Sequence, residues 1–278
     1  MIRRLAALAA VVALTGCSGE AADPGRQPAA PASSAVVSPT PSPPPTASPA
    51  PRPRVGSCRR LSYAAAVSPS AGRNEVPCRR EHTAETFRVG DLDSVVGGHL
   101  LAVDSARIER QVSMACPRLL ARFVGGTEEQ RRLSMLRAVW FTPTVRQSDA
   151  GAAWFRCDAV VLAGARDLLA TTGSLRGALD TATGRDRYGV CGTAEPGTRG
   201  FQRVVCDRDH TWRAIRTVGL GSGDYPGVAR ARSAGEDPCR AAGEAAADDP
   251  LDFQWGYEWP TADQWRAGQT WGLCWIPD

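Results

Sequence analysis

Two short stretches place a histidine where acid–base chemistry could be done. Cys78-Arg79-Arg80-Glu81-His82-Thr83 and Cys206-Asp207-Arg208-Asp209-His210-Thr211 share C-x3-H-T, with an acid directly before the ring. A neighbouring carboxylate fixes an imidazole tautomer or raises its basicity, which a hydrolytic general base requires. Hydrolysis further needs a nucleophile and a third, orienting group. Neither G-x-S-x-G nor H-E-x-x-H occurs in the chain. A histidine repeated in two equivalent places also fits a fold-determining role, packed on a disulfide at the turn into a strand. All 33 basic residues are Arg, which excludes lysine Schiff-base chemistry and a Walker-type phosphate lysine. The C-x2-C spacing of a zinc knuckle is missing, so neither a metal nor a cofactor is expected.

A second candidate surface is aromatic. Phe253, Trp255, Tyr257, Trp259, Trp265, Trp271 and Trp275 include five of the eight Trp. Trp255, Tyr257 and Trp259 alternate, so a strand would put them on one face. They suit either the core of this region or stacking on the rings of a sugar ligand, and core is the favoured reading. Trp265 has no aromatic counterpart in the first half, which makes it the candidate surface contact beside His82 and His210. Gly219-Leu220-Gly221-Ser222-Gly223 lacks the G-x-G-x-x-G spacing and reads as a flexible loop.

The elements that must position these residues follow from the cysteines. Nine are present, and Cys17 stands apart from Cys58, Cys78, Cys116, Cys157, Cys191, Cys206, Cys239 and Cys274. Eight cysteines admit about 105 pairings. An internal repeat narrows them: P-T-x2-Q-x3-G-x2-W-x2-C runs from Pro143 to Cys157 and again, without a gap, from Pro260 to Cys274. Copies that fold alike must each close two bridges. The simplest solution is Cys58–Cys78, Cys116–Cys157, Cys191–Cys206 and Cys239–Cys274.

With Val55-Gly56-Ser57-Cys58, Val76-Pro77-Cys78, His82-x2-Glu85 and the Gln264-Trp265, Gly268, Cys274 run, the chain resembles the septum formation domain of actinobacterial envelope proteins. The resemblance covers about residues 55–278 and implies a link to cell division. Two positions depart from the pattern: Ser148 stands where the second half has Trp265, and Arg213 where Glu85 would align.

The N-terminus reads as an export signal. Arg3 and Arg4 precede an apolar run from Leu5 to Leu14, which is too short for the ~20 residues of a membrane-spanning helix. It ends in Leu14-Thr15-Gly16-Cys17, similar to a bacterial lipobox, so Cys17 is expected to carry lipid. Residues 18–54 are dominated by Pro, Ala and Ser and read as a disordered tether. Removal of the signal leaves a nearly neutral chain, so the net charge of +4 gives no argument for nucleic acid.

Partly alternating runs at 81–89 and 211–220 and short β-rich runs at 138–141 and 154–162 read as strands. A helical stripe over 105–124 is expected to bend or break at Pro117; segments 228–234 and 239–247 match it around Pro238. The expected fold is α+β: two tandem disulfide-stapled copies, each a small antiparallel sheet with one or two helices. The expected organisation is a signal peptide at 1–16, lipidated Cys17 and tether at 17–54, and copies at 55–170 and 186–278. The expected protein is a non-enzymatic accessory or binding module. It is lipid-anchored on the extracytoplasmic face of the membrane, with an envelope protein or wall glycan as partner. An envelope hydrolase using His82 or His210, and a sensor or inhibitor of a membrane-bound enzyme, are the alternatives.

Overall fold

The computed structural model describes residues 51–70 and 74–278. The signal, the lipobox and nearly all of the tether lie outside them.

The first half runs β1 (Cys58–Arg59), α1 (Tyr63–Ala66), β2 (Glu75–Val76) and β3 (Ala84–Asp91). A short hairpin, β4 (Val95–Val96) and β5 (His99–Leu100), leads into α2 (Ala106–Val124) and α3 (Glu128–Arg132). Then come β6 (Leu136–Phe141), α4 (Val145–Asp149), β7 (Trp154–Gly164) and β8 (Asp167–Leu168). Its antiparallel sheet has the order β2-β1-β3-β7-β6, with β8 on β7. After α5 (Ala182–Arg187), the second half runs β9 (Val190–Gly192), β10 (Arg203–Val205), β11 (Trp212–Gly219) and α6 (Val228–Ala246). It closes with β12 (Gly256–Glu258), α7 (Ala262–Arg266) and β13 (Trp271–Pro277). The second sheet, also antiparallel, has the order β10-β9-β11-β13-β12.

The sheets agree in detail. Cys58 pairs with Glu85 and Cys191 with Arg213. Each long central strand shifts register once, between Thr86 and Arg88 in β3 and between Ala214 and Arg216 in β11. Such a bulge bends a strand and strengthens its twist. Four disulfides staple the fold: Cys58–Cys78, Cys116–Cys157, Cys191–Cys206 and Cys239–Cys274. These are the four pairs expected from the repeat.

The repeated P-T-x2-Q-x3-G frame has a mechanical explanation. Thr144 caps α4 by accepting the Gln147 N–H at 3.2 Å, while Gln147 Oε1 accepts the Thr144 N–H at 2.9 Å. Thr261 and Gln264 do the same for α7. This reciprocal capping box satisfies two orphan donors. Gly151 and Gly268 then adopt positive φ values of 89° and 96°, a conformation that favours glycine.

Of the two outcomes expected at the prolines, a bend or a break, the break does not occur. Both α2 and α6 continue for 19 residues through Pro117 and Pro238. An interior proline costs roughly 3 kcal/mol. Along α2, Ile108, Val112, Cys116, Leu120 and Phe123 are buried on both sides of Pro117. At about 1.5–3 kcal/mol per large buried apolar side chain, that continuous stripe outweighs the proline. Cys116, one residue before it, is also tied to β7.

One apolar core draws on both sheets, from Phe87, Val112, Phe123 and Phe155 to Val190, Trp212, Leu273 and Trp275. The connector between the sheets joins it through Leu175 and Leu179.

Candidate functional site

Two of the three residues expected on a binding surface are inside the protein. His82 is fully buried. Its Nδ1 lies 2.9 Å from the Arg80 carbonyl oxygen, which can only accept, so Nδ1 carries the proton. Its backbone pairs with Thr171 in both directions, at 2.9 and 2.8 Å, which ties the connector to the first sheet. Trp265 is also buried and donates its indole N–H to the Gly223 carbonyl at 2.8 Å. Its ring packs edge-on against Tyr225. The asymmetry with Ser148 therefore reflects interior packing and not a surface contact. An indole that caps the 219–223 loop buries more area and gains a hydrogen bond that exposure would not give.

His210 is partly exposed, and oxygen atoms face both its ring nitrogens. Nδ1 lies 2.6 Å from the Arg208 carbonyl oxygen and Nε2 lies 3.0 Å from Asp278 Oδ2. Arg213 Nε donates to the same Oδ2 at 2.5 Å. Neither nitrogen is left to take a proton from a nucleophile. Burial opposes ionisation of Asp278, but hydrogen bonds from Arg213 and His210 outweigh it and hold the carboxyl below its ordinary range. His210 also approaches the sulfurs of Cys191 and Cys206, the three ligand atoms lying within 4.8 Å of one another. Those sulfurs are bonded to each other and supply no thiolate to a metal.

A buried charge network lies on the face of the first sheet away from α2. Cys157 points to α2 through its disulfide, so Arg156 and Asp158 on the same strand point the other way. Asp158 accepts from the Thr86 hydroxyl at 2.7 Å and pairs with Arg156 at 3.1 Å. Arg59 donates to Thr86 and to Glu75, each at 2.5 Å. Burial pushes the Asp158 carboxyl up and the Arg156 guanidinium down, each against the pull of its partner. Arg59, Arg156 and Asp158 are buried, with the Arg156 guanidinium 4.3 Å from the centre of the Phe141 ring, while Glu75 reaches the surface.

The candidate site is a groove of about 750 Å³ beside β6, which the sequence did not reveal. Ala138, Val139 and Trp140 form its floor. Val103, Asp104, Glu109 and Val112 make one wall, Ala66 to Ser70 the other, and Thr142 to Val145 close one end. Most of these side chains are apolar, and Asp104 and Glu109 are exposed acids. Neither acid has a hydrogen-bond or ion-pair partner among the described residues. Val112 lies in the helical stripe over 105–124 and Trp140 in the strand run 138–141; that they also line an opening depends on what fails to cover them.

In the second sheet large rings pack the corresponding place. Trp140 and Tyr257 are equivalent by register, each paired with a strand cysteine, Cys157 and Cys274. Tyr257 lies on Gly235 of α6, where a β-carbon would come within 2.1 Å of its ring. Its hydroxyl donates to the Ala231 carbonyl at 3.0 Å, and burial pushes that phenol up to about 12. A β-carbon at Gly243 would come within 2.8 Å of the Trp255 Cβ and 3.4 Å of the Phe253 ring. Trp259, Trp265 and Tyr225 complete a mostly packed aromatic layer.

The molecule is thus an α+β protein with two antiparallel sheets, four disulfides and an apolar groove at one sheet edge. It belongs to the septum formation family, whose model matches residues 55–274. That family points to a role related to cell division. No curated protein and no solved structure matches the chain. Among the described residues, no helix is long and apolar enough to cross a membrane.

Proposed function

We propose that the chain is a lipid-anchored accessory module that serves cell division outside the cytoplasmic membrane by binding, with the β6 groove as its docking site and no reaction of its own. The observation that carries this reading is the groove: concave, mostly apolar and walled on both sides, as ligand sites generally are. The lipobox ending at Cys17 and the Pro-rich tether support the anchoring. The two sheets are read as copies of one four-cysteine unit. Their common strand order, matching bulges and repeated capping frame support that history.

The test has two parts. Cys17→Ala should move the full chain from the membrane fraction to the medium or soluble fraction and remove it from the septum. Purified full chain should be retained on either wall polymer or envelope extract without degrading wall substrate. Hydrolysis without retention overturns the reading, and membrane attachment that persists in the Cys17 variant overturns the anchoring.

A further inference from the structure

We propose that the groove takes one extended peptide as an additional strand on β6, with a basic side chain of that peptide held by Asp104 and Glu109. This rests on the binding reading above and adds the chemistry of the ligand. The floor is the decisive feature. Ala138, Val139 and Trp140 are consecutive, and consecutive strand residues point to opposite faces of a sheet. Register confirms this: Trp140 pairs with Cys157, on the α2 side, and Val139 with Asp158, on the other. A cavity that touches all three must therefore lie over the edge of the strand and not over one face.

Between two flanking bonds, Met135 N–H to the Tyr188 carbonyl at 2.8 Å and Thr142 N–H to the Pro69 carbonyl at 3.3 Å, that edge carries no second strand among the described residues. β6 ends the sheet, and among the described residues it pairs only with β7. Its outward N–H and C=O groups call for a partner that repeats donors and acceptors at strand spacing, which a polypeptide does. The two walls contribute Val112 on one side and Val67 and Pro69 on the other. They offer apolar contacts to both sets of alternating side chains of an incoming strand. Among the described residues no basic side chain lines the groove, whereas two acids without a side-chain partner stand on its α2 wall. Charge complementarity thus selects a cationic side chain and disfavours an anionic lipid or an acidic peptide. A wall glycan lacks the repeating donors and acceptors of a backbone at strand spacing.

The experiment uses the purified full chain in detergent and a displayed library of random decapeptides. Selection should enrich sequences that alternate apolar residues and carry Lys or Arg. In a synthetic enriched peptide, N-methylation of alternate amides should weaken binding about threefold to tenfold per lost bond, with the intervening amides tolerant. Bound peptide should slow amide exchange at 138–140. Asp104→Asn with Glu109→Gln changes only exposed side chains and should weaken binding several-fold at low salt, the difference fading at high salt. No enrichment, equal tolerance at every amide, or unchanged affinity of the neutralised variant overturns the strand mode. Oligomerisation through β6, seen as a dimer in sedimentation that the peptide does not dissociate, also overturns it. If the chain is still retained on wall polymer or envelope extract, the peptide inference alone falls; if that retention fails too, the binding reading falls with it.

Discussion

The carboxylate of Glu85 accepts the backbone N–H of Leu175 at 2.7 Å and the hydroxyl of Ser174 at 2.8 Å. A buried strand residue thereby holds the connector that leads to the second sheet, and His82 holds the same connector four residues earlier at Thr171. Glu85→Ala leaves the Leu175 donor unpaired in the interior and should cost about 1–3 kcal/mol in urea denaturation. Glu85→Gln keeps an acceptor and should recover part of the loss. A wild-type midpoint for Glu85→Ala would show that the connector is held by other contacts.

The two histidines should separate cleanly. His82→Ala opens a fully buried site and removes the donor to Arg80, so a loss of about 2–4 kcal/mol is expected. His82→Asn retains a donor near the same place and should be milder. His210→Ala touches a partly exposed cluster and should cost only about 0–1 kcal/mol. Equal losses at both positions would contradict this assignment.

The acid side of the stability curve should carry the signature of Asp278. Its folded carboxyl titrates below the ordinary value of 3.8, so the unfolded chain binds more protons in between. Stability from this group is complete above the unfolded value and is lost as pH falls through the folded one. Urea midpoints between about pH 2 and 5 should fall more steeply for wild type than for Asp278→Asn. Parallel profiles would show that the Arg213 and His210 contacts do not persist in solution.

At Arg156 and Asp158 the second sheet supplies an internal comparison. By register the equivalent positions are Leu273 and Trp275, both buried and apolar. Arg156→Leu alone strands the Asp158 carboxylate and should cost about 3–5 kcal/mol. Arg156→Leu with Asp158→Leu removes both charges and should recover most of that loss in chemical denaturation. A double variant no better than the single one would mean that Arg59 and Glu75 depend on the pair.

The bridges should rank by the loop each closes. Cys116–Cys157 spans 41 residues and Cys191–Cys206 spans 15. The chain-entropy model gives about 4 and about 3 kcal/mol respectively. Paired Cys→Ala variants should therefore differ by roughly 1 kcal/mol, with the longer loop the more damaging. The reverse order would place the effect in native packing around α2.

The cysteine pairing and the capping frame were legible because they depend on spacing along the chain. A repeat fixes which cysteines are equivalent, and Thr144 with Gln147 acts within one helical turn. The strands and the helices around Pro117 and Pro238 were visible as periodicity, but whether each proline would split its helix was not. A local penalty of a few kcal/mol was outweighed by burial that only the packed sheet supplies. The same limit left His82 open between a fold-determining role and a binding surface, and put Trp265 on the surface when it is buried. Residue type showed that each had a special role, but exposure depends on which distant segments cover a side chain: Thr171 for His82, and Gly223 with Tyr225 for Trp265. The groove is the extreme case, since an opening is made by neighbours that are small or missing. By itself the sequence determined family, bridges and local elements, which are properties of order and spacing. Only the tertiary structure decided which side chains face solvent and that β6 ends a sheet, because both depend on contacts between residues far apart in the chain.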